Sequence, residues 1–167
     1  MRTRATAVLY HSALFLGCRR RREVDVILGI GMDLLEVRRM ERALLEHGGR
    51  FEARVFTDRE LEYCAARADR AQALAARFAA KEACLKALGT GWAQGLTFQQ
   101  VEVIREASGR PALQLSGTAR DLAKSLGVVS VHVTLTHQRG MAGAVVILEG
   151  GRGLGKSGRP RAYPHRA

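Results

Sequence analysis

The sequence predicts one domain that combines α-helices with antiparallel β-strands. An apolar, β-branched run before residue 34 is typical of a buried strand, and an alanine-rich stretch that stops at Gly89 is typical of a long helix. Two pairs of short alternating segments after residue 100 are typical of hairpins. The chain has 167 residues, of which 47% are hydrophobic, and this suits a single domain with tails and a packed core.

The formal net charge of +11 lies mostly at the two ends of the chain. Residues 1–25 contain six arginines against Glu23 and Asp25, and residues 150–167 contain five basic residues and no acid, which leaves +2 for residues 26–149. A nucleic-acid-binding domain should carry its basic stripe on the folded part. We therefore expect no nucleic-acid partner, a domain over residues 26–149, and a disordered basic tail over residues 150–167.

Residues 1–25 have two competing explanations. Two arginines precede an apolar stretch that ends at Cys18, and four arginines follow it where a signal peptide would have a small-residue cleavage site. The segment is either an extension from a wrongly assigned start codon or a targeting segment, and we expect it to be disordered. No apolar run is long enough to span a bilayer. Three cysteines without CxxC spacing suit reduced thiols, so we expect a cytoplasmic protein without a membrane partner.

The first half of the predicted domain is mainly helical. Residues 26–33 are expected to form a buried strand whose glycines permit another backbone to approach closely. A helix is expected over residues 35–47, ended by Gly48 and Gly49, with residues 51–56 as a short connecting turn. The residues of this segment expected to face a core are Leu34, Val37, Leu44 and Leu45.

Two more helices are expected before Gly89. Thr57 and Glu60 form a capping box that starts a helix running to about residue 66. The long helix is expected over residues 70–88. On it Ala79, Ala83 and Ala87 recur at every fourth position, and they form a narrow face against which another element can pack closely.

The second half alternates strands and one helix. Residues 101–105 and 112–115 are expected to pair as strands around a turn. A helix capped by Ser116 is expected over residues 118–126. Residues 130–137 and 141–148 are expected to form a second hairpin.

Four residues of these elements suggest a phosphate-handling site. Asp33 ends the first strand, Glu82 and Lys86 lie one helical turn apart, and His137 ends a later strand. Two carboxylates without a Cys–His ligand set suit Mg²⁺, and a lysine beside them suits negative charge on a phosphate. A glycine-rich loop at residues 89–95 can hold phosphate oxygens through its N–H groups. Simpler roles remain open: Asp33 as a helix cap, Glu82 and Lys86 as a surface ion pair, and His137 bonded to backbone.

The same residues carry a family resemblance. Gly31-Met32-Asp33, then Arg39, then the block from Arg77 to Gly91 around Lys81-Glu82-Ala83-x-x-Lys86, then Thr136-His137, resemble the holo-acyl-carrier-protein synthase family in order and spacing. These are the single-domain 4′-phosphopantetheinyl transferases, and the resemblance covers about residues 26–149. It implies an α+β fold with a small antiparallel sheet packed with a long helix, and a homotrimer with active sites between subunits.

The resemblance also implies an activity and roles for residues. The expected reaction transfers the 4′-phosphopantetheine arm of coenzyme A to a serine hydroxyl of apo acyl carrier protein and releases adenosine 3′,5′-bisphosphate. Asp33 and Glu82 would hold Mg²⁺, and Glu82, or a water on the metal, would take the serine proton. Lys86 would neutralise or protonate the leaving phosphate, and His137 would contact phosphate oxygens. Coenzyme A would be bound by Arg77, Lys86, Gly89, Thr90 and His137, and the carrier protein by Arg39, Arg50, Phe51 and Arg54.

Three rival functions remain at the level of sequence. A basic nucleic-acid-binding module would explain the charge, but the middle of the chain is nearly neutral and aromatic residues make up only 5%. A longer two-domain transferase would show an internal duplication, which the sequence lacks. A catalytically inactive scaffold would not need Asp33, Glu82, Lys86 and His137 together.

Overall fold

The computed structural model describes residues 26–89 and 95–151. The expected N-terminal extension and all but the start of the expected tail lie outside these residues. The elements in chain order are β1 (Val26–Glu36), α1 (Val37–Val55), α2 (Asp58–Ala65), α3 (Arg70–Leu88), a 3₁₀ turn (Phe98–Gln100), β2 (Val101–Arg105), β3 (Pro111–Leu115), α4 (Gly117–Ser125), β4 (Val128–Gln138) and β5 (Met141–Gly150).

The strands form two antiparallel sheets. The larger sheet has the order β1-β5-β4, and the smaller is the β2-β3 hairpin. β5 lies in the centre, so Asp33 on β1 pairs with Ala144, which pairs on its other side with Leu135 of β4. The expected α+β fold, with a small antiparallel sheet packed with a long helix, is confirmed. Within the described residues no helix has the length and apolar character needed to cross a membrane.

The long helix α3 forms the centre of the core. Twelve of its nineteen residues are buried, and most of these are alanine or leucine. Its alanine face packs on one side of β1 at Gly29 and Gly31. A Cβ atom on Gly31 would lie 2.7 Å from the backbone nitrogen of Ala87 and 2.9 Å from the carbonyl carbon of Ala83. The close approaches predicted separately for the strand glycines and for the alanine face are both present, and the two surfaces pack on each other.

The region between β1 and α2 differs from the prediction. β1 continues to Glu36, and α1 extends through Gly48 to Val55. Gly48 has φ +50° and kinks the helix instead of ending it. The expected turn at residues 51–56 is therefore wrong, because Phe51 and Val55 lie four positions apart and pack a second helical segment against the core.

Two expectations about the start of this helix are also wrong. Leu34 and Leu45, expected to face the core, are 54% and 87% exposed, whereas Met40 is buried. Asp33 is not the helix cap, since Glu36 occupies the N-cap position without a side-chain hydrogen bond.

The capping signals of the later helices have mixed outcomes. Both hydrogen bonds of the Thr57–Glu60 capping box are present at the start of α2. Gly89 ends α3 in the left-handed conformation, with φ +76°. Ser116 occupies the N-cap of α4, but its side chain makes no capping hydrogen bond.

The contact at Gly31 gives a stability prediction. Gly31→Ala should lower the free energy of unfolding by about 1–3 kcal/mol, because the new methyl group overlaps the α3 backbone. The measurement is the thermal midpoint Tm of each variant. Gly49→Ala is the matched control: its Cβ would meet no atom within 4 Å, so Tm should stay or rise. Equal Tm values for wild type and Gly31→Ala would contradict the packing described here.

Candidate active site

Asp33 and Lys86 meet where β1 and α3 run side by side. The Nζ of Lys86 lies 2.7 Å from Oδ1 of Asp33 and also donates to the carbonyl oxygen of Met32 at 3.1 Å. Asp33 lies on the face of β1 that carries Gly29 and Gly31, so the alanine contact brings its carboxylate to the helix. Lys86 thus reaches across to the strand, and its ion pair is with Asp33 and not with Glu82.

Glu82 lies one turn before Lys86 and faces the same pair. Partial burial raises the pKa of the Glu82 carboxyl, and the negative charge of Asp33 raises it further, while the positive charge of Lys86 opposes both. The contribution of Asp33 to this shift means that the two carboxylates repel each other. The three side chains therefore form one cluster of two carboxylates and one ammonium group on β1 and α3.

The two carboxylates of this cluster suit Mg²⁺ if a bound phosphate supplies further oxygen ligands. Mg²⁺ in proteins is often held by one or two carboxylates, with water and substrate phosphate as the remaining ligands. No group of three or more His, Cys, Asp or Glu side chains able to hold a metal occurs among the residues that the structure describes. A cation between Asp33 and Glu82 would relieve their repulsion, so the residues fit a magnesium ion that is shared with a bound phosphate.

A second group of residues lines a cavity of about 350 Å³ between α2, α3 and β4. The guanidinium groups of Arg67 and Arg77 lie 4.4 Å and 4.0 Å from the centre of the Tyr63 ring. Burial acts to raise the pKa of Tyr63, but the hydrogen bonds and positive charges of the two arginines leave that pKa lowered. His137 lines the same cavity.

Arg77 carries an unpaired donor at this cavity. Its side chain is buried, its Nη1 donates to the carbonyl oxygen of Ala73 at 3.2 Å, and its Nε has no hydrogen-bond partner. The side chain of His137 is exposed and has no hydrogen-bond partner among the described residues, so its expected simple role, a bond to backbone, is not observed. An anion in this cavity would lie beside the exposed imidazole of His137 and the positive charges of Arg67 and Arg77.

The two groups lie at opposite edges of the sheet. α3 crosses the sheet, with Ala83 and Ala87 against β1 at one end and Arg77 beside β4 at the other. Arg77 and Lys86 are nine positions apart, which is about 13 Å along the helix. One chain therefore brings together Asp33, Glu82 and Lys86, and it brings together Arg77 and His137, but it does not join the two groups.

The remaining predicted site residues are spread over other surfaces. Arg39, Arg50 and Arg54 are exposed on α1, while Phe51 is half-buried with its ring edge-on to Phe56 at 6.1 Å. Gly89 is the C-cap of α3. Thr90, predicted to bind coenzyme A, lies outside the described residues.

Sequence reasoning missed two residues that matter to the site. Lys81 was read as part of the Lys-Glu-Ala block, yet its side chain is fully buried and paired with Glu60. The available signal was a lysine with Phe78, Cys84 and Leu85 three or four positions away on the same helix face. No spacing pattern in the sequence predicts that Arg67 and Arg77 both lie against the ring of Tyr63.

Comparisons with known proteins identify the family and the fold. A sequence model described as the 4′-phosphopantetheinyl transferase superfamily matches residues 29–145. A holo-[acyl-carrier-protein] synthase of Methylorubrum populi is 52% identical over 128 residues, covering 74% of this chain and 94% of that protein. The crystal structure of a Neisseria meningitidis holo-[acyl-carrier-protein] synthase matches with a TM-score of 0.69 at 28% identity, covering 74% of this chain and 98% of that one. A Helicobacter pylori holo-[acyl-carrier-protein] synthase in complex with coenzyme A matches with a TM-score of 0.63 at 27% identity, covering 71% and 98%.

The raised pKa of Glu82 predicts how stability depends on pH. Above that pKa the carboxylate is charged in a partly buried site beside Asp33, so its ionisation opposes folding. Glu82→Gln should therefore have a higher Tm than wild type at pH 7 without added divalent cations. The difference should shrink as pH falls through the raised pKa and vanish below the ordinary pKa of a glutamate, because the wild-type group is then protonated in both states.

The measurement is Tm against pH for both proteins. Glu106→Gln, an exposed residue of the β2–β3 turn, is the control and should follow wild type. A Glu82→Gln variant that is less stable than wild type at pH 7 would contradict this account.

Proposed function

The chain belongs to the 4′-phosphopantetheinyl transferase superfamily, and we propose that it is a magnesium-dependent holo-acyl-carrier-protein synthase. It transfers the 4′-phosphopantetheine arm of coenzyme A to a serine hydroxyl of apo acyl carrier protein and releases adenosine 3′,5′-bisphosphate. The observation that carries the proposal is the cluster of Asp33, Glu82 and Lys86. It combines two carboxylates for a cation with one lysine for phosphate charge.

The reaction breaks a pyrophosphate bond, which needs positioning and charge neutralisation above all. Asp33 and Glu82 would hold Mg²⁺, which supplies positive charge to the pyrophosphate oxygens when it is bound. Lys86 lies beside Asp33 and is half-exposed, so its ammonium is accessible to the phosphate that leaves. It neutralises the charge that develops as the phosphorus–oxygen bond to the nucleotide breaks.

The serine nucleophile needs a base. Its oxygen forms the new bond to phosphorus, and its proton must go to a nearby acceptor. Glu82, or a water on the metal, would be that acceptor, because Asp33 is already paired with Lys86 and Glu82 is not.

Coenzyme A would use the second group of residues. Arg77 and His137 line a cavity in which the Nε of Arg77 has no partner, and this suits phosphate groups of the nucleotide end. We place Gly89 and Thr90 in the same binding function by resemblance. Solved relatives bound to coenzyme A support this co-substrate.

A homotrimer with sites between subunits would join the two groups. The face of β1 turned away from α3 carries Ile30, Met32 and Leu34, which are 61%, 61% and 54% exposed. Met141, Gly143, Val145 and Ile147 of β5 continue this face by their pairing with β1. Such a continuous apolar sheet face is typical of an interface. Three copies around this face would set the Asp33 group of one subunit near the His137 group of the next.

The carrier protein would bind at α1. Arg39, Arg50 and Arg54 are exposed there and would attract an acidic partner, with Phe51 at the edge of the patch. We further propose a cytoplasmic location. The described cysteines, Cys64 and Cys84, are unpaired and buried, as in a reducing compartment. Neither residues 1–25 nor residues 151–167 would be needed for the chemistry.

The activity has a direct test. Incubation with apo acyl carrier protein, coenzyme A and Mg²⁺ should add the mass of one phosphopantetheine arm to the carrier, read by intact-mass spectrometry. Glu82→Gln should slow transfer by at least about a hundredfold, because a general base and a metal ligand are both lost. Lys86→Met should slow it by about 10²–10³.

The controls separate this function from its rival. Glu106→Gln should transfer at the wild-type rate, and a metal chelator should stop the wild type. No mass gain with several folded carrier proteins would overturn the proposal. Salt-sensitive binding of nucleic acid that survives Glu82→Gln would favour the nucleic-acid-binding module instead.

The oligomer has its own test. Ile30→Glu should lower the mass of the protein in solution from a trimer to a monomer and abolish transfer, because it puts a charge into the proposed interface. Light scattering after size-exclusion chromatography gives the mass. Leu126→Glu, at an exposed position beyond α4, should leave mass and rate unchanged. A wild-type monomer that transfers the arm would refute the shared site.

A further inference from the structure

A buried lysine lies next to the proposed base in the chain. The side chain of Lys81 is 0% exposed, and its Nζ has three partners. It lies 2.8 Å from Oε2 of Glu60, and it donates to the carbonyl oxygens of Phe98 at 3.0 Å and Val101 at 2.6 Å. An ammonium group has three donors, so every one of them is used within the protein and none is left for a substrate phosphate.

The side chain of Glu60 is also buried, and both of its oxygens accept hydrogen bonds. Its side chain is 1% exposed. Its Oε1 accepts from the backbone N–H of Val103 at 2.9 Å, and its Oε2 accepts from the backbone N–H of Thr57 at 3.0 Å. The ion pair therefore ties three parts of the fold together: α2 through Glu60, α3 through Lys81, and the 3₁₀ turn with β2 through the carbonyl and N–H groups.

The alanine contact with β1 sets the rotation of α3 only loosely. The helix is lined with alanine where it meets β1, and small side chains leave few ridges to lock into grooves. Directional bonds from a buried ammonium do fix it. Successive residues of a helix are about 100° apart, so the rotation that points Lys81 at Glu60 also sets the direction of Glu82 and Lys86.

We propose that Lys81 is a positioning residue of the transferase site, acting through its buried pair with Glu60. The pair sets the rotation of α3 and so the separation of Glu82 and Lys86 from Asp33, while Lys81 itself touches no substrate. A buried ion pair adds little net stability over apolar groups of the same size, so its main effect here is on geometry. This inference rests on the proposed transferase function.

A double variant separates the effect of the Lys81–Glu60 pair on the geometry of the site from its effect on the stability of the protein. Lys81→Met alone leaves the Glu60 charge buried and unpaired, and its Tm should fall sharply. Lys81→Met with Glu60→Gln removes both charges, and the one glutamine oxygen still accepts from one of the two backbone N–H groups, so Tm should recover most of the loss. With apo acyl carrier protein, coenzyme A and Mg²⁺, kcat of the double variant should fall by about ten- to a hundredfold. Its KM for apo acyl carrier protein should stay within about twofold, because the proposed carrier-binding arginines lie on α1 and not on α3.

The control loses stability without the geometric change. Val128→Ala at the start of β4 removes a partly buried side chain that does not pair with any residue bonded to Lys81 or Glu60, and it should lower Tm while leaving kcat unchanged. If the double variant does not fold, Glu60→Gln alone decides by the same measurement, with a fall in kcat at constant KM expected.

Each outcome has one meaning. A folded double variant, or the folded Glu60→Gln protein in its place, with wild-type kcat would overturn the positioning role while leaving the transferase proposal standing. A wild-type protein without transfer activity would remove the function first, and the inference with it.

Discussion

At Gly31 the backbone of β1 runs against the backbone of α3 with no side chain between them. The helix has only small alanine side chains on the facing side, so the two elements come closer than larger side chains would permit. Asp33 follows two positions later on the same face of the strand, and this is why its carboxylate meets Lys86 and faces Glu82. The chemistry of the cluster depends on this contact, because wider spacing would leave a strand-end aspartate and a surface helix pair.

The charged residues on α3 and their partners form two groups, one buried and one partly exposed. Lys81 and Glu60 are buried and fully hydrogen-bonded, and burial lowers the pKa of Lys81 while the pairing with Glu60 opposes that change. Asp33, Glu82 and Lys86 are partly exposed and incompletely matched, with two acids against one base. The first group fixes where the helix lies, and the second retains unsatisfied charge for a cation and a phosphate. Such unmatched charge opposes folding, as is common at functional sites.

The sequence predicted the parts of the fold that depend on local patterns. The glycines of β1, the alanine repeat of α3 and the Thr57–Glu60 box each have a local physical signature, and each is present in the structure. The kink at Gly48 was misread as a helix end, because the helix continues only through packing of Phe51 and Val55 against residues distant in sequence. The candidate site residues were predicted by motif, and the structure brings Asp33 to Lys86. The Lys81–Glu60 pair was not found, since twenty-one positions separate its members and no periodicity links them.

The central claim is that one transferase site is assembled from the Asp33 group of one subunit and the His137 group of its neighbour. Mixing two inactive variants tests it most directly: Glu82→Gln and His137→Ala are unfolded together in equal amounts, refolded, and assayed for transfer to apo acyl carrier protein. In a closed ring each subunit has one neighbour on either side of its site, so random mixing makes about a quarter of the sites wild type in both halves. The account predicts recovery of about a quarter of the wild-type rate. A mixture no more active than its inactive parents would show that both groups must come from the same chain, and would contradict the account.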